Sequence, residues 1–253
     1  MGEHIARATP TKKKSSNIFW NIVGVIGELL ITFAFVIGLF SVWQLYWTTY
    51  QVAGQVTQTI ASYEEEHQPS KRTQGETRTD APPEFTREVA SGEVYGLVHV
   101  PTWDWMKIPL AEGTTSYVLD QGWAGHYDMT TQPGGVGNFS VAGHRRTYGN
   151  NFRWIDRLTQ GDKVVVEVDD HYLVYSMVSS EIIDATDPTQ MRVVAPVIDD
   201  VSWSETPTER WMTMTTCHPE YGNWQRYIVH LKFESWTPKD TGVPAELVDE
   251  PTN

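Results

Sequence analysis

The sequence predicts an all-β domain, a closed barrel or sandwich with short helices, preceded by one N-terminal apolar helix. Two observations carry this. Short runs rich in Val, Ile, Thr and aromatic residues recur from Gly92 onward without long helical patterns between them, and residues 18–47 are almost wholly apolar or aromatic. Short strands lacking intervening helices close into barrels or sandwiches, and about 20 apolar residues suffice to cross a bilayer as a helix.

Residues 1–17 form a basic N-terminus, with Arg7, Lys12, Lys13 and Lys14. Behind them, residues 18–47 read as a transmembrane anchor. Ile22 to Phe40 alone is long enough to span, and Glu28 is the single charge inside, expected to sit protonated or to reach toward a headgroup. The run exceeds a signal-peptide core and lacks a small-residue cleavage site, which favours an uncleaved anchor. The basic cluster places the N-terminus in the cytoplasm, with Trp43, Tyr46 and Trp47 at the outer interface. Residues 48–90 turn polar, with Glu64-Glu65-Glu66 and Pro82-Pro83, and read as an extracellular linker that starts as a continuation of the helix.

The globular part spans residues 91–236. Its expected strands are Val94 to Val100, Asn138 to Ala142, Lys163 to Val168, His171 to Val178, Glu181 to Ile183, Met212 to Cys217 and Arg226 to Phe233, bounded by Gly, Pro, Asn and Asp. Asp169-Asp170 reads as a hairpin turn, and Phe152 to Leu158 as a short helix or turn. Residues 237–253 read as a polar tail.

The formal charge of −13 lies mainly on the outer part, which disfavours nucleic acid as a partner. One cysteine excludes an internal disulfide and leaves a free thiol in an oxidising setting, an exposure that favours a catalytic use. His99, His126, His171 and His230 show no metal-ligand spacing, so structural roles and no metal are expected.

That thiol, Cys217, ends the run Thr213-Met214-Thr215-Thr216-Cys217. Arg226 follows nine residues on, and His144 stands upstream in Ala142-Gly143-His144-Arg145. A free thiol with a pKa near 8.5 is a weak nucleophile at neutral pH, so chemistry requires a nearby base or cation. His144 supplies the base. Arg226 supplies a cation for a developing oxyanion. If the two last strands pair as a hairpin, Cys217 and Arg226 oppose each other on one face, while Met212, Met214, Tyr227, Val229, Leu231 and Phe233 share the other. His218 points away from that pair and is a poorer base.

Thr-Met-Thr-Thr-Cys with an arginine on the following strand and an upstream Gly-His strand end resembles the signature of sortases, the cysteine transpeptidases of Gram-positive cell surfaces. The resemblance covers Gly92 to Phe233. Met214 departs from the family's leucine with little change of volume. Gly143-His144-Arg145-Arg146-Thr147-Tyr148-Gly149 and Thr216-Cys217-His218-Pro219 are most similar to class E sortases of actinobacteria.

The resemblance implies an eight-stranded sortase β-barrel, with Cys217, His144 and Arg226 catalytic, and Tyr148, Thr216 and Thr215 against the substrate. It implies cleavage of a Leu-Pro-x-Thr-Gly or Leu-Ala-x-Thr-Gly signal on secreted proteins, transfer to a peptidoglycan precursor amine, and no cofactor. Trp103-Asp104-Trp105 lacks the proline of a pilin-sortase lid, and no second apolar span lies near the C-terminus, so housekeeping anchoring is expected over pilus assembly. An L,D-transpeptidase, whose His-Gly-Cys core is missing, and a non-catalytic membrane-tethered module are the alternatives.

Overall fold

Eight strands close into a barrel in the order β1-β2-β3-β4-β7-β8-β6-β5 in the computed structural model, which describes residues 15–251. They are β1 (Val94–Val100), β2 (Met106–Glu112), β3 (Ala124–His126), β4 (Gly137–Ala142), β5 (Lys163–Val168), β6 (His171–Asp184), β7 (Arg210–His218) and β8 (Gln225–Pro238). Inward-facing side chains alternate with outward ones, and eight strands leave a lumen just wide enough to be filled by side chains. Phe139, Val141, Leu173, Tyr175, Met212, Met214, Val229 and Leu231 fill it. The apolar face expected for the final hairpin is therefore the barrel wall's inner side.

Two strands escaped the sequence pattern. β2 contains Pro109, which cannot donate to a ladder. It is tolerated because β2 pairs antiparallel with β1 throughout, whereas its other neighbour, β3, joins only from Leu110. β3 has three residues, too few to show alternation. The runs His171 to Val178 and Glu181 to Ile183 are one strand, bent where register shifts between Met177 and Ser179. The turn at Asp169-Asp170 and a 3₁₀ turn at Ile155–Arg157 are present as expected.

Helix α1 covers Ser15–Glu66, and the chain divides into two units between Gln44 and Leu45. In the first unit large apolar side chains from Ile18 to Trp43 stand exposed. Thr32 and Ser41 return their hydroxyls to the carbonyls of Glu28 and Ile37 at 2.9 Å, so that each hydroxyl proton is satisfied within the helix. This is the one helix among the described residues that is long and apolar enough to cross a membrane. Arg7 and Lys12 to Lys14, expected on the cytoplasmic side, lie outside the described residues.

In the second unit, the stretch 48–90 departs from the expected spacer. It is helical to Glu66, then runs along the barrel, bridging Gln74 to Val243 and Arg78 to Trp236. The polar tail is also no free tail: Val243 and Leu247 pack on Val165, Tyr172 and Val174 outside β5 and β6. The physical reason is a buried charge cluster that the spacing of the residues concealed. His99 lies 2.8 Å from Glu167 and 2.8 Å from Glu250, Lys107 lies 2.6 Å from Glu64 and 3.1 Å from Glu250, and Lys239 lies 2.7 Å from Glu167. Helix, tail and three strands thus share one set of ion pairs.

Burial alone would push the His99 pKa down; the hydrogen bonds to Glu167 and Glu250 outweigh it and hold the imidazole at about 9. A pKa raised above the unfolded value of about 6.5 contributes stability that is complete below that pH and is lost as pH rises through about 9. The melting temperature of the full chain should fall between pH 7 and pH 9.5 on this account, and His99→Asn should flatten that limb while lowering stability at pH 7.

Candidate active site

β7 lies between β4, which runs parallel to it, and β8, which runs antiparallel. On the β8 side the register sets Cys217 opposite Arg226. On the β4 side it ends with Ala142 opposite Thr215. The chain stays in step beyond: Gly143 N donates to the Thr215 carbonyl at 3.1 Å, and the Thr216 hydroxyl donates to the Gly143 carbonyl at 2.7 Å. His144 follows directly, just past the end of β4, at the end of the barrel where Cys217 and Arg226 lie. Neighbouring strands are about 4.8 Å apart and residues in register share a face. The register thus sets Cys217 and Arg226 in one row across the hairpin and brings the strand end that carries His144 to the same end of the barrel.

Each member is fixed differently. Arg226 Nη1 donates to the carbonyls of Asn223 at 2.8 Å and Gln225 at 2.9 Å, so the β7–β8 loop orients its fork. His144 Nε2 donates to Asp120 Oδ1 at 2.7 Å, and the ring stacks on Tyr148 with centroids 5.3 Å apart. Asp120 caps the C-terminus of the short helix α2 (Ser116–Leu119), its backbone N–H returning to Ser116 and Val118. A carboxylate only accepts, so this contact places the neutral imidazole's proton on Nε2 and leaves Nδ1 as the acceptor. Cys217 is half-buried.

Sequence reasoning missed Asp120, separated from His144 by 24 residues; the turn signals Asp120-Gln121-Gly122 were the available hint. Tyr127 was missed as well. Its hydroxyl lies 2.9 Å from the Thr215 hydroxyl, and burial pushes its pKa up, although the Thr215 hydrogen bond and the Arg226 charge pull the other way. It stands within electrostatic reach of both Cys217 and Arg226.

Thr215 and Thr216, expected against the substrate, are both buried with their hydroxyls committed. Thr216 faces the barrel side, opposite to Cys217, and its hydroxyl ties β7 to the His144 strand end. These are positions that hold the row rather than line it. His218 faces the same way as Thr216. Arg145 Nη1 donates to its Nδ1 at 2.8 Å, and burial followed by the Arg145 charge pushes its pKa down, so it stands as a neutral acceptor.

The connection between β6 and β7 covers the outer face beside this row. Asn138 Nδ2 donates to the carbonyls of Val193 at 3.0 Å and Ala195 at 3.1 Å, and Thr213 joins Asn138 at 2.8 Å. Val193 and Val194 pack on Ile183 and Ile228, with Tyr127 and Trp203 against them. His230 sits between Thr213 at 2.9 Å and Glu181 at 3.4 Å, and His126 bonds Glu112 at 2.8 Å, so both serve the framework. Among the described residues no group of three or more His, Cys, Asp or Glu side chains has the arrangement of a metal site. A cavity of about 600 Å³ lies elsewhere, against the Glu64–His99–Glu250 cluster, and is lined by none of His144, Cys217 and Arg226.

A free thiol set opposite a guanidinium, with an imidazole just past the end of the neighbouring strand, can form an acyl intermediate. The family model for the sortase domain matches residues 98–234, more than half of the chain. The chain belongs to the sortase family of cysteine transpeptidases. It is 35% identical over 229 residues to sortase SrtE1 of Streptomyces coelicolor, covering 88% of this chain and 60% of that protein, so it spans three fifths of the relative's length. Among solved structures, the SrtA sortase from Actinomyces oris is 43% identical, with a TM-score of 0.64 over 70% of this chain and 100% of that one. Sortase E1 from Streptomyces coelicolor, solved with a tripeptide in its active site, is 38% identical, with a TM-score of 0.55 over 63% of this chain and 99% of that one. The expected fold and the class E likeness both stand.

The Asp120 contact has a direct spectroscopic consequence. Nitrogen-15 spectra of the full chain should show neutral His144 protonated at Nε2, and Asp120→Ala should give a mixture of tautomers. Asp120→Asn, whose carbonyl still accepts, should retain the Nε2–H form.

Proposed function

We propose that this chain is a membrane-anchored sortase that cleaves a Leu-Pro-x-Thr-Gly or Leu-Ala-x-Thr-Gly signal between Thr and Gly and passes the acyl group to a cell-wall amine. The observation that carries the reading is the Cys217–Arg226 pairing across the β7–β8 hairpin, with the β4 end that leads into His144 paired beside β7. The family assignment supports the reaction class, and the tripeptide in the active site of the Streptomyces coelicolor relative supports a peptide substrate.

The Cys217 thiolate attacks the threonine carbonyl carbon, and Arg226 with a backbone N–H holds the oxyanion. His144, made an imidazolium by taking the Cys217 proton, gives that proton to the departing glycine amine as the carbon–nitrogen bond breaks. A thioester remains. An incoming amine then attacks it, yields a proton to His144, and releases Cys217 as thiolate with a new amide bond formed. Hydrolysis and transfer both regenerate the enzyme without a cofactor. Tyr148, stacked on His144, forms one wall of the groove that receives the signal.

The apolar part of α1 anchors the protein, with the N-terminus cytoplasmic and the barrel outside. Lipid is thereby a constant partner, and secreted proteins bearing the signal are the substrates. Anchoring of surface proteins fits better than pilus assembly, given Trp103-Asp104-Trp105 where a lid proline would stand.

The full chain in detergent micelles, mixed with both signal peptides and an amine, should yield a peptide ending in threonine and a new amide, read by mass spectrometry. Cys217→Ala should abolish both products. Arg226→Ala should lower kcat by about 10²–10³-fold with the fold intact, and Arg226→Lys should recover little, because the planar fork is lost. Intact peptides after incubation with reduced, folded wild type would remove the proposed activity.

A further inference from the structure

The loop that follows His144 holds an unusual backbone. Thr147, Tyr148, Gly149 and Asn150 have φ of 70°, 43°, 95° and 52°, four successive residues in the left-handed region. Three of them carry side chains, for which that region is disfavoured and persists only where surrounding structure imposes it. Within the loop, Phe152 N donates to the His144 carbonyl at 3.0 Å and Asn150 N to Thr147 at 3.0 Å. These bonds close the turn but leave its outer side to be supported from elsewhere.

That support comes from two sources. One is the turn after Asp120: Gly122, at φ 78°, lies so near that a β-carbon on it would stand 3.0 Å from the Tyr148 carbonyl oxygen. The other is α1. The same β-carbon would stand 2.9 Å from Val56 Cγ2, and one on Gly149 would stand 3.5 Å from Val52 Cγ2. Val52 and Val56, four residues apart on one helix face, therefore cover the two glycines on which the His144 loop and the Asp120 turn meet. Val52 is 8% exposed, although it lies in a helix otherwise largely open at this level.

The same helix face is fixed further along. Tyr63 is buried and donates its hydroxyl to the Tyr95 carbonyl at 3.4 Å, and Glu64 pairs with Lys107 at 2.6 Å. Lys107 also reaches Glu250 at 3.1 Å, so the C-terminal segment locks the helix from behind. Val52, Val56 and Tyr63 follow the i, i+4, i+11 spacing of a single stripe. The helix is clamped at one end and presses on the active-site loops at the other.

We propose that the segment Leu45–Glu66 is a positioning element of the active site, with Val52 and Val56 holding the Thr147–Asn150 loop and, through it, His144 and Tyr148. The idea rests on the assignment of His144 as acid and base. Its catalytic consequence is that turnover depends on how the membrane-proximal helix is seated. Val52 and Val56 touch no substrate; they act through the loop.

The test uses the full chain in detergent micelles, as wild type, as the double variant Val52→Ala with Val56→Ala, and as Val52→Ile. Two readouts are taken: amide hydrogen exchange in Gly143–Asn150, and kcat and KM for the signal peptide. The double variant should exchange about tenfold faster in that segment and lose about tenfold in kcat with KM little changed, while the barrel strands keep wild-type protection. Val52→Ile should behave as wild type. Unchanged loop exchange in the double variant would overturn the proposal, as would faster exchange with undiminished kcat. A wild type that cleaves no peptide would refute the proposed activity separately, and the exchange readout would still decide whether the helix holds the loop.

Discussion

Everything in this site depends on β7 being an interior strand with a parallel neighbour on one side and an antiparallel neighbour on the other. Antiparallel pairing with β8 makes a hairpin, so Arg226 returns beside Cys217 after a short loop. Parallel pairing with β4 does something a hairpin cannot: it brings a strand end from far earlier in the chain, the one that leads into His144, alongside β7. Cys217 and Arg226 are thereby held opposite each other within the ladder, and His144 stands just beyond the end of its neighbouring strand. The opposite face of the same strands supplies Met212, Met214, Val229 and Leu231 to the core. Packing density inside the barrel thus fixes the register on which the chemistry depends.

Around this row, polar groups are used to hold backbone rather than to meet substrate. Thr216 secures the Gly143 carbonyl, Thr213 and Asn138 secure the β6–β7 connection, and Arg145 bridges His218 to Asp156 at 2.7 Å. Each is buried, where a satisfied hydrogen bond contributes about 1 kcal/mol and an orphaned partner costs more. On the far side of the barrel, the Glu64–Lys107–Glu250–His99 cluster performs the same task for the helix and the tail, with charges that neutralise one another locally.

How much of this was legible follows from the range of each interaction. The Cys217–Arg226 face could be read because alternation along two adjacent strands is a local property. His144 could be named as a candidate base from its chemistry, but nothing local set it near the thiol, since parallel pairing leaves no short-range trace. β2 was hidden by Pro109, whose edge position depends on where β3 starts. Asp120, Tyr127 and the stripe of Val52, Val56 and Tyr63 were written in the sequence, but their partners lie 24 to 97 residues away. The helical spacing of that stripe was a signal available within an otherwise polar stretch. The tail, read as polar, carries Val243, Leu247 and Glu250, each buried because its complement sits on β1, β5 or β6.

Acyl transfer through Cys217 is decided by mixing the full chain with a signal peptide in the absence of amine, quenching in acid, and weighing the intact protein. The expected result is a mass increase equal to the acyl fragment ending in threonine, located on Cys217 and released by hydroxylamine. A reduced, folded protein that never acquires this mass while the peptide is consumed, or an adduct on any other residue, would contradict it.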